Sequence, residues 1–344
     1  MKYSTRKATT LKDVAKAANV SAMTVSNVVN RRFEFVSSKT RLKIEQEIIR
    51  LNYRKQTAAH NLRVSRQQSV GMIVIDKSPM FLTDYFTTQV VAGLANALNS
   101  LDLTMTIQGM NVSQVKDSMI MRSFEVGSIC AMLSGTRFER KKILKQLFSI
   151  NQPVIIFQEK INDKYEDYCV IRQDDFYGGQ LVGKHLLEKN ARNLLIIKPI
   201  NDWPAIENRI SGLKECILKN AAKTKISIID AASESFKDVQ SALRSYLDKN
   251  AYPDAIFGCN DQIAYASIML LKNNGVKVPQ DIKIIGFNGF DAHRHLQPTL
   301  TTIVSPAYEL GQVAGKSILD RYSRGSFTKS EIVLTVELSE GEST

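Results

Sequence analysis

From Ser69 onward the chain alternates short apolar runs with longer segments whose apolar residues recur at helical spacing. SVGMIVI, LTMTI, ICAML and PVIIF read as buried strands, and the stretches near 85–99, 113–125 and 138–148 read as the helices between them. The pattern repeats with LLII (194–197), ISII (226–229), AIF (255–257) and IKIIGF (282–287), separated by helices near 177–189, 205–219, 236–249 and 261–274. Alternation of this kind predicts parallel sheets with helices on both faces. The expected α/β body, residues 69–344, has two doubly wound lobes: roughly 69–170, with 292–330 crossing or pairing at the lobe junction, and 171–291.

The first 54 residues follow another pattern, that of short helices around a small core. Leu11, Val14, Ala15 and Ala18 fall at helical spacing, with Thr10 as N-cap and Asp13 as its capping-box partner, so a helix is expected over 11–18. Asn19 interrupts it, and Asn enters the left-handed conformation cheaply, as a tight turn demands. Ser21 caps a second helix from Ala22 to about Asn30, with Val25, Val28 and Val29 inward. Ser37 caps a third, whose apolar face is Leu42, Ile44, Ile48 and Leu51. Two short helices joined so tightly form a helix-turn-helix outline. Its second helix turns Ala22, Met23, Thr24, Ser26 and Asn27 outward, where a recognition helix meets base edges.

Charge sharpens this picture. The chain carries a formal net charge of +12, and residues 1–66 hold 15 Lys and Arg against 4 Asp and Glu, leaving +1 for all the rest. A basic head on a neutral body suits a polyanion partner. The apolar stretches of the first thirty residues are interrupted by charged or polar side chains, and no run approaches the length of a membrane span, so a cytoplasmic protein without a membrane partner is expected. The cysteines Cys130, Cys169, Cys216 and Cys259 form no C-x-x-C pair and read as reduced thiols. His60 and His185 are isolated, and His293 and His295 have no further ligand nearby, so neither metal nor cofactor is expected. The phosphate-cradling glycine motifs, G-x-S-x-G and H-E-x-x-H are all missing, and Asp174–Asp175 reads as a helix cap, which leaves an enzyme little support.

These residues also carry a family resemblance. TLKDVAKAANVSAMTVSNVVN, VSSKTR and LNY resemble the start of the lactose/galactose-repressor (LacI/GalR) family, and the likeness extends over roughly residues 9–338 through DDFYGGQLVGKHLLEKNARNLLII, the stretch from PDAIFGCNDQ to IIGFNGF, and QPTLTTIVSPAYELGQVAG. The resemblance implies a head over 1–54, a hinge over 55–68 that folds on DNA, and an effector-binding, dimerising body similar to periplasmic sugar-binding proteins. It implies that Ala22, Met23 and Asn27 read bases, that Thr10, Ser21, Thr24 and Ser26 touch phosphates or cap helices, and that Ala59 and Leu62 enter the minor groove. Asn27 stands where many members carry Arg or His.

In the body, open α/β sheets bind ligands at the carboxyl ends of their strands, which supplies further candidates. Tyr85 and Phe86 match pocket positions of the family, and Arg209 falls in R-x-x-G, where the family's arginine pairs with the effector. Gln158, Trp203, Asn260 and Asn288 follow strand ends. Arg209 with the neutral Asn288 points to a neutral or anionic effector: a sugar, sugar acid or sugar phosphate, with a purine or a protein partner ranking behind. The expected protein is a repressor that binds operator DNA as a homodimer, a tetramer being left open, and whose affinity an effector controls. A transport-type binding protein would fit the lobes but not the basic head, and a carbohydrate enzyme would need a catalytic pair that the sequence does not offer.

Overall fold

The structure, a computed structural model, describes residues 9–29, 32–51, 53, 69–76, 80–122, 126–162, 165–201, 203–289 and 296–344. The chain divides into two compact units, one within Met1–Ser65 and one within Arg66–Thr344.

The first unit contains α1 (Leu11–Ala18), α2 (Ala22–Val29) and α3 (Ser38–Arg50), with a 3-10 turn at Phe33–Phe35. Thr10 and Asp13 exchange the two bonds of a capping box, the Thr10 amide donating to Asp13 Oδ2 at 2.8 Å and the Asp13 amide to Thr10 Oγ1 at 3.3 Å. Asn19 closes α1 in the left-handed conformation, φ 51° and ψ 51°, so that the chain reverses before α2. Val14, Ala15, Ala18, Val25, Val28 and Ile44 make the core, with Ile48 and Leu51 packed at its edge. Leu42 is not part of this face as expected: it is 60% exposed. Positions two apart on a helix point about 200° away from each other, so Leu42 cannot share the side that buries Ile44.

The second unit starts with β1 (Ser69–Ile75), α4 (Tyr85–Asn99), β2 (Thr104–Met110) and the short α5 (Met119–Arg122). It continues with β3 (Ser128–Met132), α6 (Arg137–Phe148), β4 (Val154–Phe157), β5 (Tyr168–Gln173), α7 (Asp175–Glu188), β6 (Asn193–Pro199) and α8 (Pro204–Asn220). Then come β7 (Lys225–Ala231), α9 (Phe236–Leu247), β8 (Ala255–Gly258), α10 (Asp261–Asn273), β9 (Lys283–Asn288), β10 (Thr301–Val304), α11 (Ala307–Arg324), β11 (Glu331–Leu334) and β12 (Glu337–Ser339). One sheet has the order β11-β5-β4-β3-β1-β2 and is parallel throughout; the other has the order β12-β10-β9-β8-β6-β7, in which β12 alone runs antiparallel. The central strands β1, β3, β4, β6 and β8 are almost continuously buried, as sheets covered on both faces require.

The alternation of runs missed several elements. β5, β10, β11 and β12 are short and carry polar residues, so they lack a strong apolar run, and the expected helix at 113–125 is a 3-10 turn over Val112–Asp117 followed by α5. The chain passes between the lobes three times: from β5 to α7, from β10 to α11, and from β11 to β12. Residues 292–330 are therefore divided, β10 extending the second sheet and α11 packing in the core of the first lobe.

Both lobes use one device to bring helices together. A Cβ on Gly93 of α4 would stand 1.9 Å from the Tyr308 carbonyl oxygen, and one on Gly311 of α11 would stand 2.1 Å from that of Val90. In the second lobe, Gly179 of α7 meets the Arg209 carbonyl oxygen at 2.0 Å in the same sense, and Gly212 of α8 meets that of Phe176 at 1.9 Å. Only glycine permits such backbone approach. In the second lobe it sets the first turns of α7 and α8 side by side, which is where Asp175 and Arg209 stand.

Candidate functional site

Loops at the carboxyl ends of both sheets converge on one cleft of about 880 Å³, the solvent at its mouth included. From the first lobe come Asp76 after β1, Asp84 and Phe86 at the start of α4, Leu133 and Ser134 after β3, and Gln158 after β4. From the second come Trp203 before α8, Arg209 within it, Glu234 after β7, Asn260 after β8 and Asn288 at the end of β9. The cleft thus joins Phe86, Gln158, Trp203, Arg209, Asn260 and Asn288. Tyr85 does not line it. It faces an adjoining groove with Gln89, Ser305 and Tyr308, because neighbours on a helix point about 100° apart and Phe86 takes the cleft side.

Arg209 is 4% exposed and its donors are engaged within the protein. Nε donates to Asp175 Oδ1 at 2.8 Å, Nη1 to the Cys259 carbonyl at 2.6 Å and Nη2 to Asn288 Oδ1 at 3.2 Å. Its guanidinium carbon lies 3.7 Å from the centre of the Phe287 ring. Asp175, read from sequence as a cap, is the buried counter-ion, while Asp174 supplies the cap by accepting from the Tyr177 amide at 3.0 Å. Asp175 also accepts from Gln173 Nε2 at 2.8 Å and Gln158 Nε2 at 3.1 Å. Burial pushes its carboxyl up, and Arg209 followed by these amides opposes the push. Gln158 in turn accepts from the Gln173 amide at 2.8 Å.

The second charged element is acidic, and the sequence reading passed over it. Asp84 caps α4, accepting from the Thr87 amide at 2.8 Å. Asn260 caps α10 through Oδ1, at 2.9 Å from the Ile263 amide, and its Nδ2 donates to Glu234 Oε1. Glu234 is pushed up to about 7, chiefly by burial and next by the charge of Asp84; Arg209 and the Asn260 bond pull it back, and Asp76 adds a smaller push. The sequence signal for all three acids was their place just after a strand or at a helix start, which reads equally as capping. Trp203 Nε1 is buried with no hydrogen-bond partner in the protein.

In the first unit, Ala22 and Met23 are exposed on α2, Met23 at 71%, and Thr24, Ser26 and Asn27 are half-buried beside them. Ser21 caps the helix, its Oγ accepting from the Thr24 amide at 3.0 Å, and Thr10 does the same for α1. Ala59 and Leu62 lie outside the described residues.

Comparison with known proteins adds to this geometry. Residues 10–56 match the family model for bacterial regulatory proteins of the lacI family, and residues 184–344 match a periplasmic binding protein-like domain. The ribose operon repressor of Haemophilus influenzae is 26% identical over 328 residues, covering 94% of this chain and 95% of that protein. The HTH-type transcriptional repressor PurR of Pasteurella multocida is 29% identical, covering 96% of each. Among solved structures, the lac repressor dimer bound to operator and the anti-inducer ONPF superposes with a TM-score of 0.82 at 22% identity, covering 98% of this chain and 99% of that one. A LacI family regulator from Enterococcus faecium with bound ribose gives 0.69 at 23% identity, over 80% and 98% of the two chains. A helix-turn-helix head and a two-lobed body with a lined cleft define a class, that of the ligand-responsive transcription regulators. Within it, the head is similar to the lacI family of bacterial regulatory proteins and the body to the periplasmic binding protein-like domain that accompanies it in the repressors this chain resembles.

Proposed function

We propose that this protein is a repressor that binds operator DNA as a homodimer and whose operator affinity is set by a hydroxyl-rich small molecule of the sugar class in the cleft. The observation that carries the reading is the pairing, on one chain, of a lacI-type head holding nearly all the net charge with a body whose strand ends converge on one cleft. Relatives named for a ribose operon and a solved neighbour with ribose support the ligand class.

In this reading residues 1–54 are the head, 55–68 the hinge and 69–344 the effector and dimerisation body. Ala22, Met23 and Asn27 read bases, Thr10, Ser21, Thr24 and Ser26 hold the backbone, and Ala59 and Leu62 enter the minor groove. Phe86, Gln158, Trp203, Arg209, Asn260 and Asn288 receive the effector, with Tyr85 at its margin. The chain acts in the cytoplasm, where its DNA is, and carries out no catalysis. Among the described residues no helix is long and apolar enough to cross a membrane.

Selection of random duplexes on the full-length protein tests this. The expected product is a two-fold symmetric site whose complex a small-molecule library dissociates or tightens. Recovery of no preferred sequence, or an asymmetric site bound by one protomer at full affinity, refutes it.

A further inference from the structure

The inference below rests on the reading of the cleft as the effector site and concerns the charge of what fills it. Four acidic or basic side chains are among its described lining residues: Asp76, Asp84, Glu234 and Arg209. The one cation is already matched, since Arg209 spends its charge on Asp175, which is itself 2% exposed, and Nε, Nη1 and Nη2 each donate inside the protein. An incoming anion therefore meets three carboxyl groups and no unmatched positive group among those residues, which speaks against the anionic ligands that Arg209 and Asn288 left open on sequence.

The carboxylates come from separate loops of both lobes, after β1, before α4 and after β7, so the cleft gathers negative charge from independent parts of the fold. The aromatic residues Phe86, Phe157 and Trp203 line the same space, and aromatic faces attract cations as well as they cover sugar rings. A metal ion does not satisfy this set: no group of three or more His, Cys, Asp or Glu among the described residues could hold one. Asn260 and Asn288 supply amides for hydroxyl groups.

We propose that the effector is a hydroxylated organic cation, of the amino-sugar class, whose positive centre is held by Glu234 and Asp84 while its hydroxyls meet the amides beside Arg209. The elevated pKa of Glu234 agrees with this, because a carboxyl that burial and like charge hold near neutrality gains most from a positive partner.

Trp203, the only tryptophan of the chain, reports occupancy through its emission. Full-length protein is titrated with matched triplets, D-glucose, D-glucosamine and D-glucuronate and then the galactose series, with melting temperature as a second readout. The expected result is a response to an amino sugar with affinity at least about tenfold above its neutral parent, and none to the uronate. Glu234→Gln and Asp84→Asn, which keep shape and, in Asp84→Asn, helix capping, reduce that preference toward unity. Equal affinity for neutral and amino sugars, or tighter binding of a uronate, overturns the charge assignment and leaves the effector cleft standing. Silence from every member in both readouts overturns the amino-sugar assignment.

Discussion

Replacing Asp175 by Asn isolates the charge at the centre of the body. The pair with Arg209 is 2.8 Å long, and its side chains are only 5% and 3% exposed, so the guanidinium cannot turn to water when the carboxylate is lost. Removing one member of such a pair strands a buried charge and costs about 3–5 kcal/mol, whereas replacing both by apolar residues of similar volume is near neutral. An Asn oxygen placed as Oδ1 keeps the bonds from Arg209 and Gln173, while its amide nitrogen loses the bond that Oδ2 accepts from Gln158, so the perturbation is the charge and one hydrogen bond. At roughly 2–4 °C per kcal/mol for a domain of this size, Asp175→Asn lowers the body's melting temperature by some 6–20 °C. Trp203 packs at the edge of the second-lobe core, so its emission follows the unfolding of the body and not that of the tryptophan-free head. Urea unfolding of the full chain followed at this residue gives the difference directly. The reasoning is refuted if Asp175→Asn falls within about 1 kcal/mol of the parent, or if the double variant Asp175→Leu with Arg209→Met is less stable than either single one.

Three further outcomes are expected. Glu234 binds protons more readily folded than unfolded, having risen from 4.5 to about 7, so its contribution to stability falls as pH rises through that window and is smallest above 7. With Asp84, Asp76, Arg209 and Asn260 around it, the difference in melting temperature between pH 5 and pH 8 should shrink in Glu234→Gln. Operator affinity should fall roughly 10³-fold or more between about 50 and 200 mM salt if six or more phosphates are contacted, measured by fluorescence anisotropy, and deletion of residues 1–66 should abolish binding. Gly212→Ala places a Cβ 1.9 Å from the Phe176 carbonyl oxygen, forces α7 from α8 and should cost about 1–3 kcal/mol in the same unfolding assay.

The parts of the fold that were legible in the sequence are those where one signal acts alone. β1, β4, β6 and β8 are continuous apolar runs because both faces of each sheet are covered, and Thr10, Asn19, Ser21 and Ser37 mark helix ends through their own local bonds. Strand ends likewise located Gln158, Asn260 and Asn288 at the cleft. What escaped reading depends on partners far away in the chain. Nothing local distinguishes Asp175 from Asp174, since one becomes a counter-ion only through Arg209, 34 positions later, and the other a cap. Glu234, in a polar loop, acquires its character from burial beside Asn260 and Asp84. β10 and β11 are four-residue strands that gain their place from neighbours in different parts of the chain, Thr301–Val304 against β9 and Glu331–Leu334 against β5.

The same long-range bonds explain how a small ligand can act on the whole body. Two of the three passages between the lobes meet in one network. Gln173, at the end of β5, donates to Asp175 just beyond the first passage, and Ser305, on the second passage, donates to Gln173 Oε1. Gln158 of the first lobe joins them through both Asp175 and the Gln173 amide, and Asp175 leads through Arg209 to Asn288 and the Cys259 carbonyl in the second. Gln173 is fully buried, so these bonds cannot be exchanged for water at little cost. A ligand that takes up Asn288 or Gln158 must draw on bonds that already join the passages. Its binding energy is therefore coupled to the lobe junction by shared donors and acceptors, and a ligand shifts the junction only by as much as it favours one arrangement of that network over another.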